Sequence, residues 1–265
     1  MSDSATAFRA GDLAGTLIAL QSEVRARPQD VKLRIFLAQL LMVLGQWDRA
    51  LTQLAVVAEL DALTLPMVHT CRAAIQCEQL RAAVYAGARS PLVFGEPEPW
   101  LALLIQGLQL QASGHAEQAI AARAEALEQA PTTAGVVNGG AFEWIADADS
   151  RIGPVLEVLL NGAYYWVPVH RISKIKFEAP TDVRDFVWMP ANFTWSNGGE
   201  AVGLIPVRYP ESESSGDPQI QLARKTEWVS LGGEQYAGLG QRVLATDQGD
   251  FGLLDLRELT LAAAA

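Results

Sequence analysis

The chain has 265 residues, half of them hydrophobic and 19% charged, a composition that supports a buried core and excludes wholesale disorder. Acidic residues number 30 and basic residues 20, for a net charge of −10. Nucleic acids and anionic membranes attract clustered Lys and Arg, so neither is an expected partner, whereas a basic or amphipathic protein segment is.

Met1 to Arg9 has no basic start followed by an apolar core, so no secretory signal is expected there. No run approaches the roughly 18 unbroken apolar residues of a membrane span. Cys71 and Cys77 are the only cysteines, which agrees with a reducing compartment. They read as small, buried apolar residues, and His69 alone does not complete a metal site. The chain is therefore expected to be cytoplasmic, with no cofactor.

From residue 10 to about 130, Ala, Leu, Gln, Arg and Glu dominate, all strong helix formers. Leu33, Phe36, Leu37, Leu40, Leu41 and Leu44 form a stripe at helical spacing. Gly11-Asp12 recurs as Gly45-Gln46-Trp47-Asp48 34 residues later, and Gly114-His115 follows about two periods on. Pro28 and Pro131 close helices at matching phases, because proline lacks the N–H that a continuing helix needs. A period near 34 with paired helices is the tetratricopeptide pattern. About three imperfect helix pairs are expected, since the phase near residue 79 carries Glu78-Gln79-Leu80 and no Gly. Residues 87–99 read as a loop within the array.

After Pro131 the character changes, and the chain is read as two domains: a tetratricopeptide-like array over 1–132 and a β-rich domain over 133–265. Asn161-Gly162 between two runs rich in branched and aromatic residues predicts a hairpin. Ile172 to Phe177 alternates with a period of two. Further strands are expected at 202–209, 220–222, 227–231, 242–245 and 251–256, with a helical turn within 180–188. Many short strands suggest a barrel or sandwich, so the fold class is α+β. Tyr209 to Pro218 reads as a mobile surface loop, and Ala262 to Ala265 as a frayed tail.

Asp147, Asp149, Arg151 and Glu157 form the densest polar cluster. It reads as a structural network, with the aspartates satisfying turn amides and pairing with Arg151, Arg184 or Arg208. The competing readings are a hydrolase with Asp147 and Asp149 as paired carboxylates, or a cation site. No Ser or Cys elbow and no phosphate-cradling loop is present. Five of seven tryptophans, Trp144, Trp166, Trp188, Trp195 and Trp228, fall in the second half, where they read as packing or as an exposed anchor for a partner. Phe36, Leu40, Trp47 and Leu103 are the candidate groove residues for a partner helix, with ordinary inter-helix packing as the alternative.

An ordered set of phrases carries a resemblance. It comprises Leu37–Leu41 running into Gly45–Ala50, Phe142–Pro154, Glu157, Tyr165–Pro168, Arg184–Pro190, Pro206–Pro210, Thr226–Trp228, Gly240–Arg242 and Leu254–Arg257. Together they resemble the ImpE/TagJ (SciE-type) accessory proteins of bacterial type VI secretion systems. The resemblance implies a non-catalytic adaptor with no family-wide catalytic residues. It also implies contact with the N-terminal helix of the small sheath subunit TssB, and in some members with the ClpV unfoldase. A scaffold that self-associates is the alternative.

Overall fold

The structure is a computed structural model that describes residues 3–262. Its first half is helical: α1 (Asp3–Arg9), α2 (Leu13–Ala26), α3 (Val31–Val43), α4 (Trp47–Leu60), α5 (Leu65–Tyr85), α6 (Pro99–Ala112) and α7 (Ala116–Gln129). Asp12 and Asp30 cap α2 and α3 by accepting from the amides of Gly15 and Leu33, which satisfies donors that have no partner within the helix.

The repeating glycines have one shared job. Gly11, Gly45 and Gly114 sit at φ +80°, +65° and +82° just past helices α1, α3 and α6. The following residue's amide reaches back to close the end, as in Gln46 N to Leu41 O (2.8 Å) and His115 N to Leu110 O (2.9 Å). That closure requires the left-handed region, which favours glycine. Ala50 and Ala119 are fully buried, so the paired helices approach closely at those points.

The middle of the array departs from the 34-residue period. Helix α5 runs unbroken through residue 79, and its closing glycine is Gly87, at φ +69°. The segment read as a loop also contains strand β1 (Leu92–Val93), which pairs in parallel with β6 (Ala163–Pro168) through Leu92–Tyr165 and Val93–Trp166.

The other strands are β2 (Gly135–Val137), β3 (Gly140–Phe142), β4 (Ile145–Asp147), β5 (Val155–Leu160), β7 (Ile172–Phe177), β8 (Trp188–Trp195), β9 (Glu200–Pro206), β10 (Thr226–Gly232), β11 (Gln235–Gly240), β12 (Val243–Thr246), β13 (Gly249–Gly252) and β14 (Glu258–Leu261). Nine strands form one sheet in the order β1-β6-β5-β9-β8-β7-β14-β2-β3; β13-β12-β4 and β10-β11 form two smaller sheets. The large sheet ends in two separate edges, so of the expected barrel or sandwich a closed barrel is not formed. Its helix-distal face and the β12–β4 pair share one apolar core, which includes Val158, Val167, Met189 and Leu244.

The Asn161-Gly162 hairpin forms as expected, with Leu160 opposite Ala163 and both turn residues at positive φ. Residues 183–186 make the expected helical turn. Residues 220–222 are not a strand: Asp217 caps and Pro218 opens a short helix, α8 (Pro218–Gln221). The segment after Tyr209 is anchored rather than loose. Tyr209 and Ser212 are fully buried, and Ser212 Oγ bonds the Tyr209 carbonyl and the Gly240 amide. Ala262 donates to Ala134 O; the rest of the tail read as frayed lies outside the described residues.

Strand β5 is buried along its whole length. Val155 and Leu159 join the helical core, whereas Leu156, Val158 and Leu160 join the core beyond the sheet. By strand alternation Glu157 therefore faces the helices.

Gly45 and Gly114 separate two contributions to stability. A Cβ on Gly45 would lie 2.5 Å from Glu213 Cγ, whereas one on Gly114 would meet nothing within 4 Å. Gly114→Ala should lose about 1 kcal/mol from the left-handed conformation alone. Gly45→Ala should lose more, and urea unfolding of the two variants measures the difference.

Candidate functional site

Where the helices meet the sheet, the core is charged. Arg81, on α5, grips Glu157 with two bonds, Nε–Oε1 at 2.8 Å and Nη2–Oε2 at 3.0 Å. The same Nη2 donates to Arg208 O at 2.8 Å. Glu157 also accepts from Tyr164 and from Arg242, and Trp166 Nε1 donates to Tyr164 Oη at 2.8 Å. Arg242 spans two carboxylates, reaching Asp147 at 2.9 Å through its other terminal nitrogen. Asp147 accepts further bonds from Tyr209 Oη and the Asp149 amide, both at 2.8 Å. Asp149 holds Arg151 and accepts the Gly238 amide at 3.0 Å.

Burial alone would raise the pKa of Glu157, but Arg81 and Arg242, with the hydrogen bonds from Arg81 and Tyr164, hold it well below the usual carboxylate range. Asp147 goes the other way. Its burial outweighs the pull of Arg242 and pushes it up to about 7. Burial likewise lowers Arg208 to about 10, against the opposing influence of Glu213 and Glu78. The Arg208 guanidinium caps two helix ends, donating to Val43 O and Gln221 O at 2.7 Å each, where the helix dipole favours a cation.

Asp147, Asp149, Arg151 and Glu157 thus share one network. Arg184 is not part of it: it lies beside Asp182 and Asp185, 3.6 Å from each. Sequence reasoning did not single out Arg81 or Arg242 as ion-pair partners. Arg81 sits in an unremarkable helical run, and its partner is 76 residues away. The aspartates are 4% and 0% exposed, and their oxygens are occupied by structural partners, so the geometry offers no open carboxylate pair for hydrolysis. Among the described residues no group of three or more His, Cys, Asp or Glu is arranged to hold a metal ion.

A cleft of about 390 Å³ opens above this network, between α5 and the 210–213 segment. Trp47 lines it beside Tyr85, Glu78, Arg81 and Arg151, and stacks on Trp188 at 6.0 Å. The other groove candidates lie elsewhere. Leu40 is fully buried in the helical core; Phe36 packs edge-on against Phe8 at 5.7 Å; Leu103 is half-buried against the helical core. Only Trp47 of the four lines the cleft, because the stripe containing Phe36 and Leu40 is spent on helix packing.

These features define a class: a tetratricopeptide-like array fused to an open β-sheet body through a buried ion network. Comparison with known proteins agrees. The tetratricopeptide repeat profile matches residues 7–75, and the ImpE protein profile matches residues 139–260. The chain is 51% identical to the type VI secretion system accessory component TagJ of Pseudomonas aeruginosa over 95% of its own length and 88% of that protein's. The crystal structure of protein VPA1032 from Vibrio parahaemolyticus superposes with a TM-score of 0.89 at 26% identity, covering 98% of this chain and 97% of that one. The chain belongs to the ImpE/TagJ family of type VI secretion accessory proteins.

Removing one member of the network leaves the others buried and unpaired. Glu157→Gln should lower unfolding free energy by about 3–5 kcal/mol, read from denaturant melts at pH 7. The two shifted carboxyls give opposite pH signatures. The folded-state pKa of Glu157 is depressed, so its contribution is present above its ordinary value near 4.5 and is lost as pH falls below that. That of Asp147 is raised, so its contribution is present at low pH and is lost as pH rises from about 4 through 7. The stability advantage of wild type over Asp147→Asn should therefore be larger at pH 5 than at pH 8 in thermal melts.

Proposed function

We propose that this protein is a non-catalytic adaptor of a type VI secretion system that binds a helical protein segment, the N-terminal helix of the small sheath subunit TssB, with the ClpV unfoldase as a further partner. The observation that carries this reading is the cleft between α5 and the 210–213 segment, walled by Trp47 on a tetratricopeptide-like scaffold. Repeat arrays use such surfaces to hold peptides. The network beneath supports the reading by fixing the two halves, so the cleft is formed before a partner arrives.

On this reading the protein works in the cytoplasm, beside the sheath. Among the described residues no helix is long and apolar enough to cross a membrane. The negative charge suits a partner segment that carries lysine and arginine.

Isothermal calorimetry with a synthetic peptide of that helix, from the same gene cluster, is the test. Saturable one-to-one binding is expected, weakened about tenfold or more by Trp47→Ala. Absence of binding to both peptide and whole subunit would overturn the sheath assignment. Weight would then move to the unfoldase, or to self-association through β10, which pairs only with β11 among the described residues and leaves Trp228 and Val229 exposed.

A further inference from the structure

The cleft carries an excess of negative charge in a specific place. Beneath it, three guanidinium groups, Arg81, Arg151 and Arg242, are matched in ion pairs to three carboxylates, Asp147, Asp149 and Glu157. Glu78 adds a further contact to Arg81 at 3.3 Å and accepts Trp188 Nε1 at 2.8 Å. Glu211 and Glu213, on the opposite wall, pair with no Lys, Arg or His among the described residues. Of the carboxylates, Glu213 acts most strongly on Arg208, whose guanidinium is spent on two backbone carbonyls.

One further feature points to what would fill the space. Trp47 supplies an apolar wall along which the methylene stem of a long cationic side chain can lie. An anion is disfavoured, because both arginines at the floor already hold carboxylates.

We propose that this cleft receives a lysine or arginine side chain projecting from a protein partner, with Glu211 and Glu213 as the charge acceptors and Trp47 as the wall. This rests on the partner-binding reading above for the nature of the occupant, but not on which protein supplies it. The cation enters between α5 and the 210–213 segment. Binding therefore weakens as salt rises, since Glu211 is exposed and Glu213 only half-buried.

The test uses the full chain and two probes. In the first arm, the Trp47 indole resonance, assigned with Trp47→Phe, is followed by NMR during titration with Nα-acetyl-arginine methylamide. Nα-acetyl-lysine methylamide and the uncharged citrulline analogue are run alongside. The expected result is a saturable shift for the two cations and none for citrulline, with affinity reduced at least fivefold in Glu211→Gln/Glu213→Gln. No saturable shift, or an equal one for citrulline, would overturn the proposal. In the second arm the sheath peptide is titrated into wild type, the double variant and the control Glu125→Gln/Glu128→Gln, altered on exposed positions of α7. About tenfold weakening in the first variant and none in the control supports the proposal; equal affinity in all three overturns it for that partner. Cationic probes that bind in the cleft while the peptide does not would keep the cleft assignment and overturn the sheath assignment.

Discussion

The bidentate pair between Arg81 and Glu157 is the constraint on which the rest of the molecule depends. Glu157 stands in a strand buried on both faces, where a lone carboxylate would cost several kcal/mol. It is tolerable only with guanidinium groups on it, and one of the two comes from the helical array. The pair therefore links halves of the chain that lie 76 residues apart. It also accounts for the irregular repeat. Had α5 stopped where the 34-residue period asks, near residue 79, neither Arg81 nor Tyr85 would reach the sheet. The extra two turns carry both into place.

Arg242 extends the same logic within the β half. By bridging Glu157 and Asp147 it ties β5 to the small sheet formed by β4, β12 and β13, while Tyr209 and the Asp149 turn close the other side. Such networks contribute less to net stability than an apolar core of equal volume would. What they fix is geometry, since each donor has one place to go. Here they set the spacing between α5 and the 210–213 segment, and so the shape of the cleft above them.

The same architecture is seen in the Vibrio parahaemolyticus protein at 26% identity. Helix packing and strand pairing survive such divergence because many side chains of similar volume fill the same space.

Local features of the fold were legible in the sequence. Gly45 and Gly114 announced helix ends because only glycine readily takes the left-handed conformation that closes them. Asn161-Gly162 announced a hairpin for the same reason. The polar cluster could be read as structural, because Asp147, Asp149 and Arg151 are neighbours in the chain. What the sequence could not supply was partnership across distance. Nothing local marks Arg81 as the counterion of Glu157, Arg184 as absent from the network, or Leu40 as spent in the core while Trp47 lines a cleft. Helix and turn formation depend on residues three or four apart, so a linear reading reaches them. Ion pairing, sheet order and the cleft depend on which faces meet when the array packs on the sheet, and that is decided only by the tertiary structure.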